Sequence, residues 1–473
     1  MSLPQHHLPD SPVDLLIIGG GIVGAGVARD AAMRGLSVVL VEQHDLASGT
    51  SSRSSRLLHG GLRYLAQGRI GLVRQASREK RVLANIAGHL AQPLGFVFPT
   101  YKASGWPKWK LRIGVKIYDL LCTGGNFGSS SSMNASRMQA YLPGINPLNL
   151  TGGVRYFDGM TNDARLVIDT LKSAATHGAF VHNYTRFIDA QRHDKHWVCR
   201  VARGDEEAEV SASVIINASG PWADRFAQGR VKLRPTKGVH LVIDRQRLPV
   251  PDAVVMTNDN RLLFAIPWGE RVILGTTDTD YDGPLDNPQC DVSDMQAVLD
   301  QVNALFPDAS IQASDVVSTW AGLRPLLANW RGDPSDIARS HLVQRAESGW
   351  IDAAGGKLTT YRLMAEEAVD LAIKEMGLSP LKCRTATEPL IYDHGWSGIL
   401  PPPVSLEVAN DCVESEWCTT LTDLMIRRTS WHYYHDDRLD IAHRAASWMA
   451  AKLNWTNTAM DQQYREYARL VED

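Results

Sequence analysis

The first 42 residues contain the feature that most restricts the fold of this chain. An apolar run between Asp14 and Gly19 predicts a short buried strand, and the segment GGGIVGAGVARDAAMRG predicts a glycine turn and an alanine-rich helix that ends near Gly35. The run LSVVLVE then predicts a second buried strand that ends at Glu42. A strand, a helix and a strand in this order form the right-handed unit of open parallel sheets. The chain is therefore predicted to be an α/β protein with a Rossmann-like domain.

The glycines of the turn follow the spacing G-x-G-x-x-G at Gly19, Gly21 and Gly24. Glycine lets the backbone turn tightly and approach a pyrophosphate, whose charge then lies at the N-terminus of the helix. Glu42 can accept hydrogen bonds from ribose hydroxyls. Taken alone, the glycines would indicate only a tight turn, which needs glycine for steric reasons. Taken alone, Glu42 would indicate only a solvated carboxylate at the end of a strand. The combination with both strands predicts dinucleotide binding.

The segment after Glu42 indicates which dinucleotide binds. Thr50, Ser51 and Ser52 offer hydroxyls and backbone amides to a second phosphate or a ring system, which favours a cofactor buried along its length. FAD fits this pattern better than NAD, whose enzymes usually continue plainly into a third strand. The alternative is a serine-rich surface loop, since Ser and Thr favour turns.

Composition excludes several classes of protein. The 473 residues are 44% hydrophobic, which suits two or three domains with large cores. A formal net charge of -3 gives no field that would attract nucleic acid. The six cysteines lack a C-x-x-C pair and metal-type spacing, so no metal site is predicted and a reducing cytoplasm is expected. No signal peptide is expected, because MSLPQHHLPDSP lacks a basic-then-apolar pattern, and no membrane span is expected, because glycines and an Arg-Asp pair interrupt the best apolar run, residues 13–33.

The remaining chain predicts two interleaved domains and a helical end. Ser213–Asn217 and Val272–Gly275 read as strands, while HLVID and RLLFAIPW read as strands paired with each other in a strand-rich middle, residues 234–277. The segment HGWSGILPPP reads as a linker, because its prolines can continue neither a helix nor a central strand. Beyond it, apolar residues at helical spacing predict a small all-helical domain. These residues are Leu439, Ala442, Ala446, Met449 and Leu453.

Eight segments, in order and at compatible spacing, carry a resemblance to a known family. They are IIGGGIVGAGVARDAAMRGLSVVLVE, DLASGTSSRSSRLLHGGLRYL, NASGPWAD, LRPTKGVHLV, FAIPW, GTTDTDY, AGLRPL and GGKLTTYR. Together they resemble the FAD-dependent glycerol-3-phosphate dehydrogenases, within the flavoproteins similar to D-amino acid oxidase. The resemblance covers residues 14–366 and resumes at 417–429, which contain TLTDLMIRRT.

The resemblance implies a fold and a domain division. An FAD-binding domain, residues 13–90, 150–230 and 335–375, interleaves with an antiparallel substrate-binding sheet, residues 91–149 and 231–334. Together they form an oxidoreductase region, residues 13–385, which a helical domain, residues 404–473, follows. This helical domain is shorter than the resemblance implies, and residues 401–417 are expected to lack a helical hairpin.

The resemblance also implies a reaction. FAD oxidises sn-glycerol 3-phosphate to dihydroxyacetone phosphate by hydride transfer to flavin N5, and a quinone, or oxygen in an oxidase branch, takes the electrons. One alternative is an oxidase or dehydrogenase that acts on another phosphorylated polyol. The other alternative is a flavin-binding protein with negligible turnover. A homodimer and peripheral contact with the inner face of the cytoplasmic membrane are further expectations. Basic residues and tryptophans between Arg69 and Lys116, Lys80 among them, suit anionic lipid or a solvated helix face equally.

A substrate phosphate needs cationic partners from separate segments, because it carries close to two negative charges. The resemblance places Arg63, Arg324, Arg339 and Lys357 around the substrate. Tyr64 is a candidate to orient the substrate hydroxyl, and the alternative is a tyrosine that only packs. Taken singly, each arginine would be a solvated surface charge or an ion-pair partner. Arg63 and Arg324 are also predicted to be catalytic residues.

His59 is the candidate base for the proton of the substrate hydroxyl, since the ordinary pKa of imidazole lies near neutrality. The alternative is a histidine that packs or contacts the flavin edge. The loop with Gly356, Lys357, Leu358 and Thr359 is expected beside the pyrimidine end of the flavin, where a positive charge stabilises the reduced ring. The resemblance adds backbone contacts to the adenine and pyrophosphate, and these come from Phe187 and Ala218.

Overall fold

The structure, a computed structural model, describes residues 7–66, 68–102, 105–122, 126–258, 261–328, 341–392 and 396–472, without the side chains of residues 63, 66, 258 and 261. The strands are β1 Val13–Ile18, β2 Val38–Val41, β3 Leu57–Leu58, β4 Gln92–Tyr101, β5 Ser131–Met133, β6 Leu150–Met160, β7 Phe180–His182, β8 Arg186–His193, β9 His196–Arg203, β10 Glu206–Asn217, β11 Leu233–Asp244, β12 Ala253–Asn258, β13 Arg261–Trp268, β14 Arg271–Gly275, β15 Thr279–Asp280, β16 Val316–Leu327, β17 His341–Glu347 and β18 Trp350–Gly355. The α-helices are α1 Ile22–Met33, α2 Leu62–Ala66, α3 Ile70–Ile86, α4 Lys108–Leu121, α5 Ala135–Tyr141, α6 Asp163–Thr176, α7 Val292–Leu305, α8 Tyr361–Glu375, α9 Leu406–Ser415, α10 Trp431–Tyr434, α11 Arg438–Leu453 and α12 Asn457–Glu472. Short 3-10 turns include Thr50–Ser52 and Leu358–Thr360, and a π-helical turn spans Asp423–Arg428.

The chain forms two compact units. The first unit contains Met1–Ser52, Asn162–Pro235 and Arg324–Asp473, and the second contains Arg53–Thr161 and Thr236–Leu323. The sequence interpretation placed residues 53–90 with the nucleotide-binding strands, whereas this segment packs within the second unit. The reason is that β3 pairs with β6, and that Lys80 of α3 bonds to Asp158 of the same strand β6.

The first unit is built on a largely parallel sheet with the strand order β17-β18-β10-β1-β2-β7. Parallel pairing joins β1 to β2 and to β10, and β10 to β18. The sequence of β2, VVLV, and that of β1, VDLLII, after Asp14 are continuously apolar, as expected of strands covered on both faces. The predicted strand, helix and strand at the start of the chain are therefore confirmed as β1, α1 and β2. The strand order reverses at β1, and ligands bind at such points, beyond the carboxyl ends of the strands.

The second unit is a mostly antiparallel sheet with the order β15-β11-β14-β13-β12-β4-β6-β3. The prediction that HLVID pairs with RLLFAIPW is wrong, because β14 lies between β11 and β13 and pairs with both. The apolar face of this sheet packs on α7, with Val298, Leu299 and Val302 in a core that also contains Val254 and Leu274.

The sequence interpretation placed Lys80 among the surface cations, but in the structure this lysine is buried. Its side chain is 1% exposed and pairs with Asp158, since α3 turns this position toward the sheet.

The described residues 404–472 contain helices and turns with a core of their own, in which Trp431 and Tyr467 are completely buried. The predicted helical spacing from Leu439 to Leu453 is confirmed by α11. Between Pro401 and Trp417 the structure has a single helix, α9. Among the described helices, none combines the length and the hydropathy needed to cross a bilayer.

Candidate active site

The turn between β1 and α1 in the first unit can hold a phosphate close to the backbone. Gly19 has a φ of 110°, and a Cβ atom at this position would press on the carbonyl of Ala218. A Cβ atom on Gly24 would collide with the carbonyl oxygen of Gly19. Both glycines are thus sterically required, which lets the N-terminus of α1 approach the end of β1.

Glu42 stands beside this turn at the end of β2. Its carboxylate accepts hydrogen bonds from the backbone N–H groups of Gly20, at 2.7 Å, and His44, at 2.9 Å. Burial raises the pKa of Glu42 above its ordinary value, and these two N–H groups oppose that shift. The side chain is consequently oriented next to the glycine turn, where the ribose of a dinucleotide is expected.

The hydroxyl-rich segment lies at the start of α1. Ser51 Oγ accepts a hydrogen bond of 3.0 Å from the N–H of Ile22, the first residue of the helix. A Cβ atom on Gly21 would lie 3.2 Å from the same hydroxyl. The turn Thr50–Ser52 is therefore placed against the glycine motif within the first unit.

Ala218 lies directly after β10, where its N–H donates to the carbonyl of Ile18 at 2.9 Å. The loop is held by Asn217, whose amide donates to Ala223 O at 2.8 Å and to Asp352 Oδ1 at 3.0 Å. Asn217 and Asp352 were not predicted. The motif NASGPWAD contains Asn217, but its partner on β18 is distant in sequence and belongs to no nucleotide-binding pattern.

The loop after β18 reaches the N-terminus of α8. Gly355 and Gly356 have φ values of 74° and 78°, and a Cβ atom on Gly356 would press on Met364. Lys357 precedes the 3-10 turn Leu358–Thr360, which leads directly into α8. The N-terminus of a helix and a lysine together favour a negatively charged neighbour, as predicted for the reduced flavin.

Phe187 lies on β8, and its ring packs edge-on against Phe226 at 5.6 Å and Trp350 at 6.2 Å. The side chain is thus part of the core of the first unit. A contact of its backbone with adenine stays a prediction.

The predicted substrate residues are divided between the units. In the second unit, the half-buried His59 follows β3, and the buried Tyr64 lies on α2. In the first unit, Lys357 follows β18, and Arg324 is partly exposed on β16. The side chain of Arg63 and the whole of Arg339 lie outside the described residues. The assembly of these groups around a substrate stays a prediction.

An aromatic cluster beside the His59 segment was missed by sequence reasoning. Arg56 is 1% exposed, and its guanidinium lies 4.4 Å from the ring centre of Trp268 and 5.4 Å from that of Trp320. His240 stacks on Trp320 at 5.0 Å, with its Nε2 atom 2.8 Å from Ser55 Oγ. The motif around Arg56 was recognised, but its aromatic partners come from β13 and β16, which no local pattern connects to it.

The glycine turn, Glu42 and the hydroxyl segment form a cradle of the kind that a dinucleotide needs. In agreement, the sequence profile of a family described as "FAD dependent oxidoreductase" matches residues 14–370. The chain belongs to the FAD-dependent oxidoreductase family.

The curated relatives of this FAD-dependent oxidoreductase include the aerobic glycerol-3-phosphate dehydrogenase of Staphylococcus saprophyticus. That protein is 39% identical over 396 residues, which span 80% of this chain and 71% of the relative. The enzyme of the same name from Staphylococcus aureus strain USA300 is 38% identical over 397 residues, with coverage of 80% and 71%.

Solved structures agree with the fold of this FAD-dependent oxidoreductase. The glycerol-3-phosphate dehydrogenase of Bacillus halodurans, complexed with FAD, is 27% identical, with a TM-score of 0.79 and coverage of 98% of this chain and 95% of that chain. The L-alpha-glycerophosphate oxidase of Mycoplasma pneumoniae shares the fold at 16% identity, with a TM-score of 0.62 and coverage of 83% and 99%.

Proposed function

We propose that this FAD-dependent oxidoreductase oxidises sn-glycerol 3-phosphate to dihydroxyacetone phosphate. The observation that carries the proposal is the cradle of Gly19, Gly24, Glu42 and Ser51, which suits FAD, in a chain whose relatives over 80% of its length are named for this reaction. When bound, FAD supplies the acceptor for the hydride of the substrate's secondary alcohol.

The residues of this chain hold the substrate and move its proton. His59 accepts the hydroxyl proton, because a neutral imidazole is a base near neutral pH and because its position after β3 leaves it half-buried rather than enclosed. Arg63, Arg324, Arg339 and Lys357 supply the positive charge for the phosphate, and Tyr64 orients the hydroxyl. A non-catalytic flavoprotein would need neither this base nor this cationic set, which favours an enzyme over a binding protein.

The second part of the proposal concerns the electron acceptor, a quinone at a membrane surface. Helix α4 supports it, because four apolar side chains spaced along the helix point outward: Trp109 is 61% exposed and Leu120 76%, with Ile113 and Ile117 between them. Lys110, Arg112 and Lys116 accompany them on the same helix. An apolar row with basic neighbours suits peripheral contact with anionic lipid. A homodimer belongs to the proposal as well.

The test is an anaerobic reduction experiment with the purified holoenzyme. Non-covalent FAD should be released on denaturation, and glycerol 3-phosphate should bleach the flavin absorbance, whereas glycerol, which lacks the phosphate, should reduce it far more slowly. His59→Asn should retain FAD and slow the reduction by about a hundredfold, the range expected for a lost general base. A colourless protein that cannot be reconstituted with FAD, or equal reduction by glycerol, contradicts the proposal.

A further inference from the structure

A buried polar network lies behind the peptide bond that follows His59. It consists of Lys80 on α3, Tyr118 on α4 and Asp158 on β6, all in the second unit. We propose that this network is a positioning device for His59, a role that rests on the proposed function of His59 as the proton acceptor.

The geometry of the network converges on one carboxylate oxygen. Asp158 Oδ1 accepts a hydrogen bond of 2.6 Å from Lys80 Nζ and one of 2.5 Å from the Tyr118 hydroxyl. The backbone N–H of Gly60 is shared between two acceptors, since it donates to the Tyr118 oxygen at 3.0 Å and to the same Asp158 oxygen at 3.3 Å. The three residues are at most 2% exposed, so little water competes for these bonds.

The direction of these hydrogen bonds follows from protonation. Burial, and next the charge of Asp158, raise the pKa of Tyr118 well above its ordinary value. The phenol therefore stays protonated at any working pH, and its hydroxyl donates a hydrogen bond to Asp158. Its oxygen is then available to accept from Gly60, while the ammonium group of Lys80 balances the charge of Asp158.

The network restrains one side of His59, and strand pairing restrains the other. Leu57 and Leu58 pair with Met160 and Gly159 of β6, and Arg56 O accepts a hydrogen bond of 2.8 Å from Thr161 N. Gly60 is the first residue on the far side, and its N–H belongs to the same peptide unit as the His59 carbonyl. Because both flanks are tied, the backbone angles of His59 are fixed and the direction of its imidazole is restricted.

Close packing explains why a glycine follows His59. A Cβ atom on Gly60 would collide with the Tyr118 hydroxyl and lie 2.8 Å from Ser77 Oγ. The glycine thereby lets the peptide contact the network directly, and the position of the base depends on buried side chains.

The informative variant is Tyr118→Phe, because it removes the acceptor of the shorter Gly60 hydrogen bond, leaves Gly60 only its longer bond to Asp158, and keeps the Lys80–Asp158 ion pair. Removing Asp158 would instead leave a buried ammonium group without its counter-charge and endanger folding. A matched control is Tyr141→Phe. The Tyr141 hydroxyl also donates to a carboxylate in the second unit, Asp252, at 2.6 Å, and Arg155 is the accompanying cation.

The measurement is the limiting rate of anaerobic flavin reduction by glycerol 3-phosphate, expressed per bound FAD, for the full-length holoenzymes. Tyr118→Phe should slow this step about tenfold or more, with the half-saturating substrate concentration and the FAD dissociation constant within about twofold of the parent values. Tyr141→Phe should reduce at the parental rate. A role in stability alone would lower FAD content or the melting temperature and leave the rate per flavin unchanged, which would overturn the inference.

A double-mutant comparison tests whether the network acts through His59. In the His59→Asn background, Tyr118→Phe should cause little additional slowing, since the group it positions is already gone. Independent, multiplicative losses would overturn the positioning role. A parent enzyme that glycerol 3-phosphate does not reduce overturns the proposed function and this inference together, whereas a competent parent with a fully competent Tyr118→Phe variant overturns the inference alone.

Discussion

At the scale of single residues, Gly24 gives the sharpest test of the nucleotide cradle. Gly24→Ala would place a methyl group against the carbonyl oxygen of Gly19, so α1 must shift away from the turn. We expect a loss of about 1 to 3 kcal/mol in the free energy of unfolding and FAD binding weakened at least about tenfold. Chemical unfolding of the apoprotein and a flavin fluorescence titration measure the two effects.

The control for this alanine is Gly114→Ala on α4. A Cβ atom at Gly114 meets nothing within 4 Å, and Gly114 lies in the interior of a helix. The substitution should raise the free energy of unfolding by up to about 1 kcal/mol and leave FAD affinity unchanged. Equal FAD affinity in Gly24→Ala and the parent would contradict the steric role assigned to Gly24.

The residues of the cradle could be predicted from the sequence because they lie in one short motif whose glycines are sterically required. Gly19, Gly24 and Glu42 span the first strand, helix and strand, so their proximity follows from local structure alone. Lys80, Tyr118 and Asp158 meet only through the packing of two helices on a strand. None of these three stands in a motif, and Lys80 looked like one of many surface cations.

At the scale of elements, the C-terminal helices are attached to the segment that links Glu42 to Thr50. Asp45 is completely buried and accepts two hydrogen bonds from Arg428, at 2.8 and 2.7 Å, and another from Arg427. Both arginines belong to the turn Asp423–Arg428, outside the residues matched by the family profile. The C-terminal segment therefore braces a loop of the cofactor cradle.

This attachment predicts a pH dependence of stability. Arg428 and then Arg427 lower the pKa of Asp45 to about 2, against the effect of burial. A lowered carboxyl pKa contributes stability that is complete above the unfolded pKa, near 3.8, and is lost as the pH falls through about 2. Between pH 5 and pH 3, the parent should lose about 1 kcal/mol more of its free energy of unfolding than Asp45→Asn.

Urea unfolding at the two pH values measures that difference. Asp45→Asn should also be less stable at pH 7 by about 3 to 5 kcal/mol, because it leaves buried arginine charge uncompensated. The exposed pair Asp189–Arg200 offers a control, since Asp189→Asn should leave the free energy of unfolding at pH 7 nearly unchanged. An equal pH response in the parent and Asp45→Asn would show that Asp45 does not carry this dependence.

Elements themselves were predictable where the signal is local. Continuous apolar runs identified β1 and β2, and helical spacing identified α11. The order of strands in the second unit was not predictable. The alternation of apolar and polar side chains identifies a strand but not its neighbours, and β14 lies between β11 and β13.

At the scale of the whole molecule, the exposed row on α4 predicts association with lipid. The protein should sediment with vesicles that contain phosphatidylserine and much less with neutral vesicles, and 0.5 M salt should weaken the binding. Ile117→Glu should lower vesicle affinity at least about tenfold, whereas Leu378→Glu, which alters an exposed leucine of the first unit, should not. Equal sedimentation of the parent and Ile117→Glu would rule out α4 as the contact.

The central position of β1 has a consequence for the protein's synthesis. Its neighbour β2 follows within a few tens of residues, but its other neighbour, β10, comes only after the segment Arg53–Thr161 of the second unit has left the ribosome. At translation rates of about 5 to 20 residues per second, this delay is on the order of 10 to 40 s. One edge of β1, which is apolar except for Asp14, stays unpaired during that time, and unpaired edges promote aggregation. Ala218, whose carbonyl lies against Gly19, follows directly after β10, so the glycine turn and the edge of β1 are completed only at the end of this delay.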